Sequence, residues 1–199
     1  MIVAGLTGSI AMGKSETAKM FAARGIPVFD SDAAVHGLYA KGGGAVAAIG
    51  ALAPSAIHDG AVDRQELSRL IQADPGLLKD VERAVHPLVK DMQKRFLADA
   101  AAAGARIAVL DIPLLFETGR ASEVDAVVVV SAGAEQQRER ALKRPGMTAE
   151  KLDFILAKQM PDVEKRARAD YVIDTSVSLA ETQEHVDCVI ALLRARAGD

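Results

Sequence analysis

Apolar residues fall along this chain in two patterns, short continuous runs and stripes spaced by three or four residues. Residues 1–6, with Ile2-Val3-Ala4, read as a buried strand. Residues 7–13 form a turn. Residues 14–24 carry Ala18, Phe21 and Ala22 at helical spacing, with Gly25 as a stop. Ile26-Pro27-Val28-Phe29 predicts a second strand ending at Asp30. Residues 32–40 read as a helix broken by Gly42-Gly43-Gly44, and residues 62–99 keep a helical period. Breaks are expected near Asp74-Pro75-Gly76 and at His86-Pro87, since proline disfavours helix in the residue before it. No strand is expected between Asp30 and Arg106. Strand character returns at residues 107–111, and four valines at 127–130 mark a strand covered on both faces. Residues 135–143 and 147–160 read as helices, with Thr148 as a cap, and 171–173 as a last strand. Ser178 with Glu181 forms a capping box. It opens a helix whose apolar stripe is Val186, Val189, Ile190 and Leu193.

Strands alternating with helices imply an α/β fold with a mostly parallel sheet and right-handed crossovers. The strandless stretch after Asp30 reads as a helical insertion in that core. With 199 residues, 50% of them hydrophobic, the chain suffices for one core plus an appendage. A net charge of −3, 4% aromatic residues and no Trp argue against a nucleic-acid partner. The single Cys188 excludes an internal disulfide and a multi-cysteine metal site, and its apolar surroundings predict a buried structural thiol. No signal-peptide pattern and no membrane-length apolar run is found, so no membrane partner and a cytoplasmic location are expected. The pattern implies no particular oligomer.

The chemistry begins at Gly8-Ser9-Ile10-Ala11-Met12-Gly13-Lys14-Ser15, a complete G-x-x-x-x-G-K-S phosphate-binding pattern. Only four of its positions are specified, so its context decides: a strand precedes it and a helix follows. Glycines let backbone N–H groups close on phosphate oxygens, and Lys14 brings a flexible point charge to the terminal phosphates. The Ser15 hydroxyl suits Mg²⁺, and the helix start turns its positive dipole end to the anion. The cofactor-binding set is therefore Gly8, Ala11, Met12, Gly13, Lys14, Ser15 and Glu16.

Ligands of open α/β sheets bind beyond the carboxyl ends of the strands. Asp30 and Asp32 follow the second strand, and Asp111 ends the third. Asp32 suits the task of orienting a hydroxyl and taking its proton. Asp30 and Asp111 suit positioning or metal-water contacts. Either Asp30 or Asp32 also reads as a helix cap. Residues 133–168 hold nine basic and six acidic residues. Arg140 and Arg144, one helical turn apart, read either as a solvated face or as a clamp on transferring phosphate within a closing lid. His86 suits a chain break as well as a substrate contact. Leu114-Leu115-Phe116 could floor a pocket or join the core, with Glu117 at its polar edge.

Taken together, these residues resemble the dephospho-coenzyme A kinase family. The likeness runs through Gly5-Leu6-Thr7-Gly8 to Ser15, Asp30-Ser31-Asp32, Asp63-Arg64, His86-Pro87, Pro113 to Glu117, Gln137 with Arg140 and Arg144, Gln159, and Ala169 to Asp174. The phosphate loop is generic; the later motifs in this order are specific. The resemblance implies a phosphate-loop kinase core with a parallel five-stranded sheet flanked by helices (residues 1–32, 104–132 and 168–199). It also implies a helical substrate-binding domain (33–103) and a helical lid (133–167). The implied reaction takes ATP and dephospho-coenzyme A, with Mg²⁺, and phosphorylates the ribose 3′-hydroxyl. The implied base is Asp32, acting with Lys14, Arg140 and Arg144. Asp30, Arg64, His86, Leu114, Leu115 and Glu117 would touch substrate, and Ser15 and Asp111 the metal. Four positions depart from the family pattern: Ala11 for Gly, Glu16 for Thr or Ser, Pro145 for Asp or Asn, and Thr175 for Asn. The rival readings are another phosphate-loop kinase of nucleotides or small metabolites, a hydrolysis-only ATPase, and a nucleotide-dependent switch. Absence of a guanine-reading Asn-Lys-x-Asp motif counts against the switch.

Overall fold

The computed structural model describes residues 1–198. The chain divides into two compact units, one formed by Met1–Phe29 with Ala100–Asp199 and the other by Asp30–Asp99.

In chain order the elements begin with β1 (Ile2–Thr7), α1 (Lys14–Ala23), β2 (Val28–Asp30), α2 (Ser31–Tyr39) and α3 (Val46–Leu52). They continue with β3 (Ile57–His58), β4 (Ala61–Val62), α4 (Arg64–Ala73), α5 (Pro75–Ala102), β5 (Ile107–Asp111) and β6 (Ala126–Ser131). The last are α6 (Ala134–Leu142), α7 (Ala149–Leu156), α8 (Asp162–Ala167), β7 (Tyr171–Asp174) and α9 (Leu179–Arg196).

The first unit is built on a parallel five-stranded sheet in the order β2-β5-β1-β6-β7. Every residue of β5 and β6 is buried, as continuous apolar runs require in strands covered on both faces. Leu6, Val109, Val128, Val130 and Ile173 of the strands pack with Phe21 of α1 and with Val186, Ile190 and Leu193 of α9. Each such side chain contributes about 1.5–3 kcal/mol on burial. The predicted capping box of α9 is present: Ser178 Oγ accepts from Glu181 N at 3.2 Å, and Glu181 Oε2 accepts from Ser178 N at 3.0 Å. Cys188 is exposed, against expectation. It projects from α9 beside the stripe of Val186, Val189 and Ile190 and outside it. The helix expected over residues 147–160 is shorter, and a separate short helix, α8, follows Pro161.

The second unit has its own core, in which Leu38, Ile49, Val62, Leu67, Val81 and Val85 are buried. Two expectations fail there. β3 and β4 form a minimal antiparallel hairpin where no strand was expected. Its turn is Asp59-Gly60, with φ of 50° and 77°, a tight-hairpin dipeptide whose flanking strands are too short to show a period. The break expected at His86-Pro87 does not occur either, because α5 runs through Pro87. Val81 and Val85 before the proline, and Leu88 and Val89 after it, belong to one apolar cluster, and their packing outweighs the backbone penalty. Pro87 is exposed, so Pro87→Ala is expected to stabilise the chain by about 2 kcal/mol. The helix penalty of about 3 kcal/mol is relieved, less up to about 1 kcal/mol lost through a freer unfolded chain. A denaturant midpoint that stays put or falls would show that α5 needs the proline.

Candidate active site

The site is organised by the turn between β1 and α1. Gly8 crosses so close to β6 that a Cβ there would lie 2.7 Å from the Val130 carbonyl oxygen. Gly13, at φ 92°, opens α1 and leaves its N-terminus without a side-chain cap, so the first amides face outward unpaired by side chains. Those amides and the helix dipole make an anion site. Met12 is buried, and its sulfur accepts from Ala132 N at 3.1 Å. Lys14 forms an ion pair with Asp111 at the end of β5, whose side chain is only 5% exposed. Ser15 is exposed in the first turn of α1. Glu16, also exposed, pairs with Lys19 at 2.6 Å along the helix.

A cavity of about 570 Å³ opens beside this loop. Ala11, Gly13, Glu16, Arg140, Arg144 and Thr175 contribute its polar and backbone side, while Met20, Val177 and Leu179 give it an apolar wall. Arg140 of α6 donates from Nη2 to the Thr175 carbonyl oxygen at 2.7 Å and from Nη1 to Thr175 Oγ1 at 3.3 Å. Thr175 Oγ1 in turn donates to the Met12 carbonyl oxygen at 2.8 Å. Thr175, one of the four departures, therefore faces the phosphate loop and staples it to the end of β7. Arg144 is exposed at the cavity, and its side chain makes no hydrogen bond or ion pair among the described residues.

Lys14, Ser15, Glu16, Asp111, Arg140 and Arg144 all belong to one unit, in which Lys14 meets Asp111 and Glu16, Arg140 and Arg144 share the cavity. The segment after β5 divides differently from the expectation. Leu114 is 40% exposed, but Leu115 is fully buried, against the substrate contact expected of it. Its Cδ2 lies 3.2 Å from where a Cβ on Gly5 would stand, so Leu115 is a core residue under β1. Glu117 Oε1 accepts from Met160 N at 2.8 Å and lies 2.8 Å from Lys165 Nζ. Burial pushes the Glu117 carboxyl up, but the Lys165 ammonium and backbone N–H groups more than offset this, leaving it below the usual carboxylate value.

In the other unit, Asp30 is the cap of α2, its Oδ1 accepting from Ala33 N at 2.9 Å. Asp32 lies in the first turn of α2, exposed and without a hydrogen-bond or ion-pair partner among the described residues. Arg64 and His86 are exposed on α4 and α5. Asp63 before Arg64 is the α4 cap, accepting from Gln65 N at 2.8 Å and Glu66 N at 3.1 Å. Sequence reasoning missed the fully buried Lys165 and the work of Gln137 and Gln159, both of which bond to Ile10 in the phosphate loop. The glutamines stand in the resemblance motifs, but spacing carries no sign of their partner.

A sequence model of the dephospho-CoA kinase family matches residues 1–181. The chain belongs to the dephospho-CoA kinase family. It is 54% identical over 198 residues, the whole of both chains, to the dephospho-CoA kinase of Mesorhizobium japonicum. Among solved structures it superposes on a Thermus thermophilus protein at a TM-score of 0.79, with 34% identity over 96% of this chain and 97% of that one. A dephospho-CoA kinase from Campylobacter jejuni gives a TM-score of 0.67 at 19% identity over 96% of each chain, a likeness of fold. No helix among the described residues is long and apolar enough to cross a membrane.

Among the described residues no cluster of three or more His, Cys, Asp or Glu could hold a metal on its own. A small hard cation held mainly by nucleotide phosphates and water needs only one or two protein oxygens. The exposed Ser15 hydroxyl and the Asp111 carboxylate at the loop fit that demand.

Proposed function

We propose that this family member transfers the terminal phosphoryl group of ATP to the ribose 3′-hydroxyl of dephospho-coenzyme A, the last step of coenzyme A synthesis. The observation that carries the reading is the uncapped N-terminus of α1 at Gly13, which together with Glu16, Arg140 and Arg144 lines a cavity, while Lys14 and Ser15 stand in the same first turn. The acceptor oxygen forms a bond to the terminal phosphorus, the bond from phosphorus to the ADP oxygen breaks, and the hydroxyl proton passes to a carboxylate. Asp32 is assigned as that carboxylate, since it is exposed and spends no oxygen on a cap. Lys14 and the loop amides neutralise charge on the transferring group, whose transition state is loose and needs positioning more than covalent help.

Mg²⁺, held by Ser15 and Asp111 with the nucleotide, would supply further neutralisation of phosphate charge. Residues 133–167 act as the lid, residues 33–103 bind the acceptor, and the activity belongs in the cytoplasm. Arg64, His86, Leu114 and Asp30 are the proposed acceptor contacts. The direct test is conversion of dephospho-coenzyme A with ATP to a product one phosphoryl group heavier, with ADP in equal amount. ADP released at the same rate without acceptor would make the chain an ATPase.

The two arginines are expected to separate. Arg144→Ala should lower kcat with little change in thermal midpoint, because the side chain is exposed and unpaired among the described residues. Arg140→Ala should lower both, since it also removes two bonds to Thr175, worth about 1.5–3 kcal/mol each for a charged donor. A rise in KM at unchanged kcat in both variants would make them ground-state binding groups.

A further inference from the structure

We propose that Gln137 and Gln159 are positioning residues for this reaction, holding the phosphate loop in its anion-receiving shape by gripping Ile10 from both sides. Ile10 N donates to Gln159 Oε1 at 3.0 Å, and Gln137 Nε2 donates to the Ile10 carbonyl oxygen at 2.9 Å. The two peptide planes flanking one loop residue are thus each held by a glutamine. Gln137 is buried on α6, and Gln159 follows α7, so the grip comes from both arms of the segment 133–167.

The grip has a local purpose. The Ile10 carbonyl lies in the peptide plane that defines φ of Ala11. Ala11 stands at φ 62°, in the left-handed region where a side chain with a Cβ is strained. Without a fixed plane before it, Ala11 relaxes toward negative φ and turns the amides that follow. Those amides lead into Gly13 and the open end of α1.

The clamps are themselves anchored. Met160, next to Gln159, donates its N–H to Glu117 Oε1, and that carboxylate pairs with the fully buried Lys165 of α8. On the other arm, Arg140 lies one turn beyond Gln137 on α6 and reaches Thr175, which bonds Met12. One helix register therefore sets both the shape of the loop and the place of Arg140. This inference rests on the kinase reading of the loop and adds to it two residues that touch neither nucleotide nor acceptor.

The test uses Gln137→Met and Gln159→Met, which keep length and remove the hydrogen bond, each made with and without Ala11→Gly. Steady-state kcat and KM for ATP are measured at saturating dephospho-coenzyme A, with thermal midpoints alongside. Each Met variant is expected to lose roughly two- to tenfold in kcat/KM for ATP, the worth of one hydrogen bond. Ala11→Gly removes the cost of positive φ, so it should recover most of the loss in Gln137→Met and less in Gln159→Met, without restoring the thermal midpoint. Losses that simply add, or a recovery that tracks thermal midpoint, would overturn the proposal. Product formation by the unaltered chain in the same assay tests the kinase reading separately.

Discussion

Replacing Asp32 by Asn is expected to lower kcat by about 10²–10⁴-fold while leaving ATP binding nearly unchanged, the range typical of general-base help. The substitution keeps size and hydrogen bonding but cannot accept the proton of an aliphatic hydroxyl. The structure makes the comparison with Asp30 informative. Asp30 is the α2 cap, so Asp30→Asn preserves the capping acceptor and should leave stability within a few tenths of a kcal/mol. Asp32 is not the cap, so Asp32→Asn loses only the favourable placement of an acid in the first turn, about 0.3–1 kcal/mol. A large kinetic loss in Asp32→Asn with an intact fold therefore reports on chemistry. Pre-steady-state phosphoryl transfer and equilibrium ATP binding measure the two parts separately. Wild-type turnover in this variant would remove Asp32 as the base. Should Asp30→Asn prove the sensitive change, the kinase assignment stands and the base is Asp30.

Lys14→Ala should lose turnover by at least about 10²–10³-fold, since no other group of the loop places a flexible charge at the terminal phosphates. The ion pair with Asp111 adds a second consequence. Asp111 is 4% exposed, and the substitution takes the Lys14 ammonium away from its buried carboxylate. Breaking a buried pair on one side costs up to about 3–5 kcal/mol, so Lys14→Ala should also melt earlier. Lys14→Arg separates the two effects. It keeps the charge beside Asp111 and much of the stability, but a planar fork does not replace a compact point charge, so turnover stays low. Near-normal kcat in Lys14→Arg and Lys14→Ala alike, measured on folded protein, would show that the loop lysine takes no part in transfer.

The sheet and the phosphate loop were legible for local reasons. Val127 to Val130 form an unbroken run of β-branched residues that suits a strand covered on both faces, and the structure buries all of β6. The capping box at Ser178 and the loop from Gly8 to Ser15 are also local, because each is completed by residues within a few positions of one another. Less legible were features decided by distant partners. Asp59-Gly60 turns a hairpin too short to show alternation. Pro87 stays inside α5 because the apolar cluster holds residues on both sides of it. Leu114 and Leu115 are neighbours of one chemical type, and only the nearness of β1 makes the second a core residue.

Sequence alone was enough to determine the strand–loop–helix turn at Gly8 to Ser15, the α/β core and, through its ordered motifs, the resemblance to one kinase family. Each depends on short-range spacing or on a periodicity visible in one dimension. The tertiary structure alone decided which polar side chains are spent inside the protein and which are left exposed. It gave Asp30 to a cap, Glu117 to Lys165 and Met160, Thr175 to Met12 and Arg140, and two glutamines to Ile10. It left Arg144, Ser15 and Asp32 exposed. The physical reason is that a buried donor or acceptor must find a partner, and for all but the cap that partner is set by how the chain returns on itself.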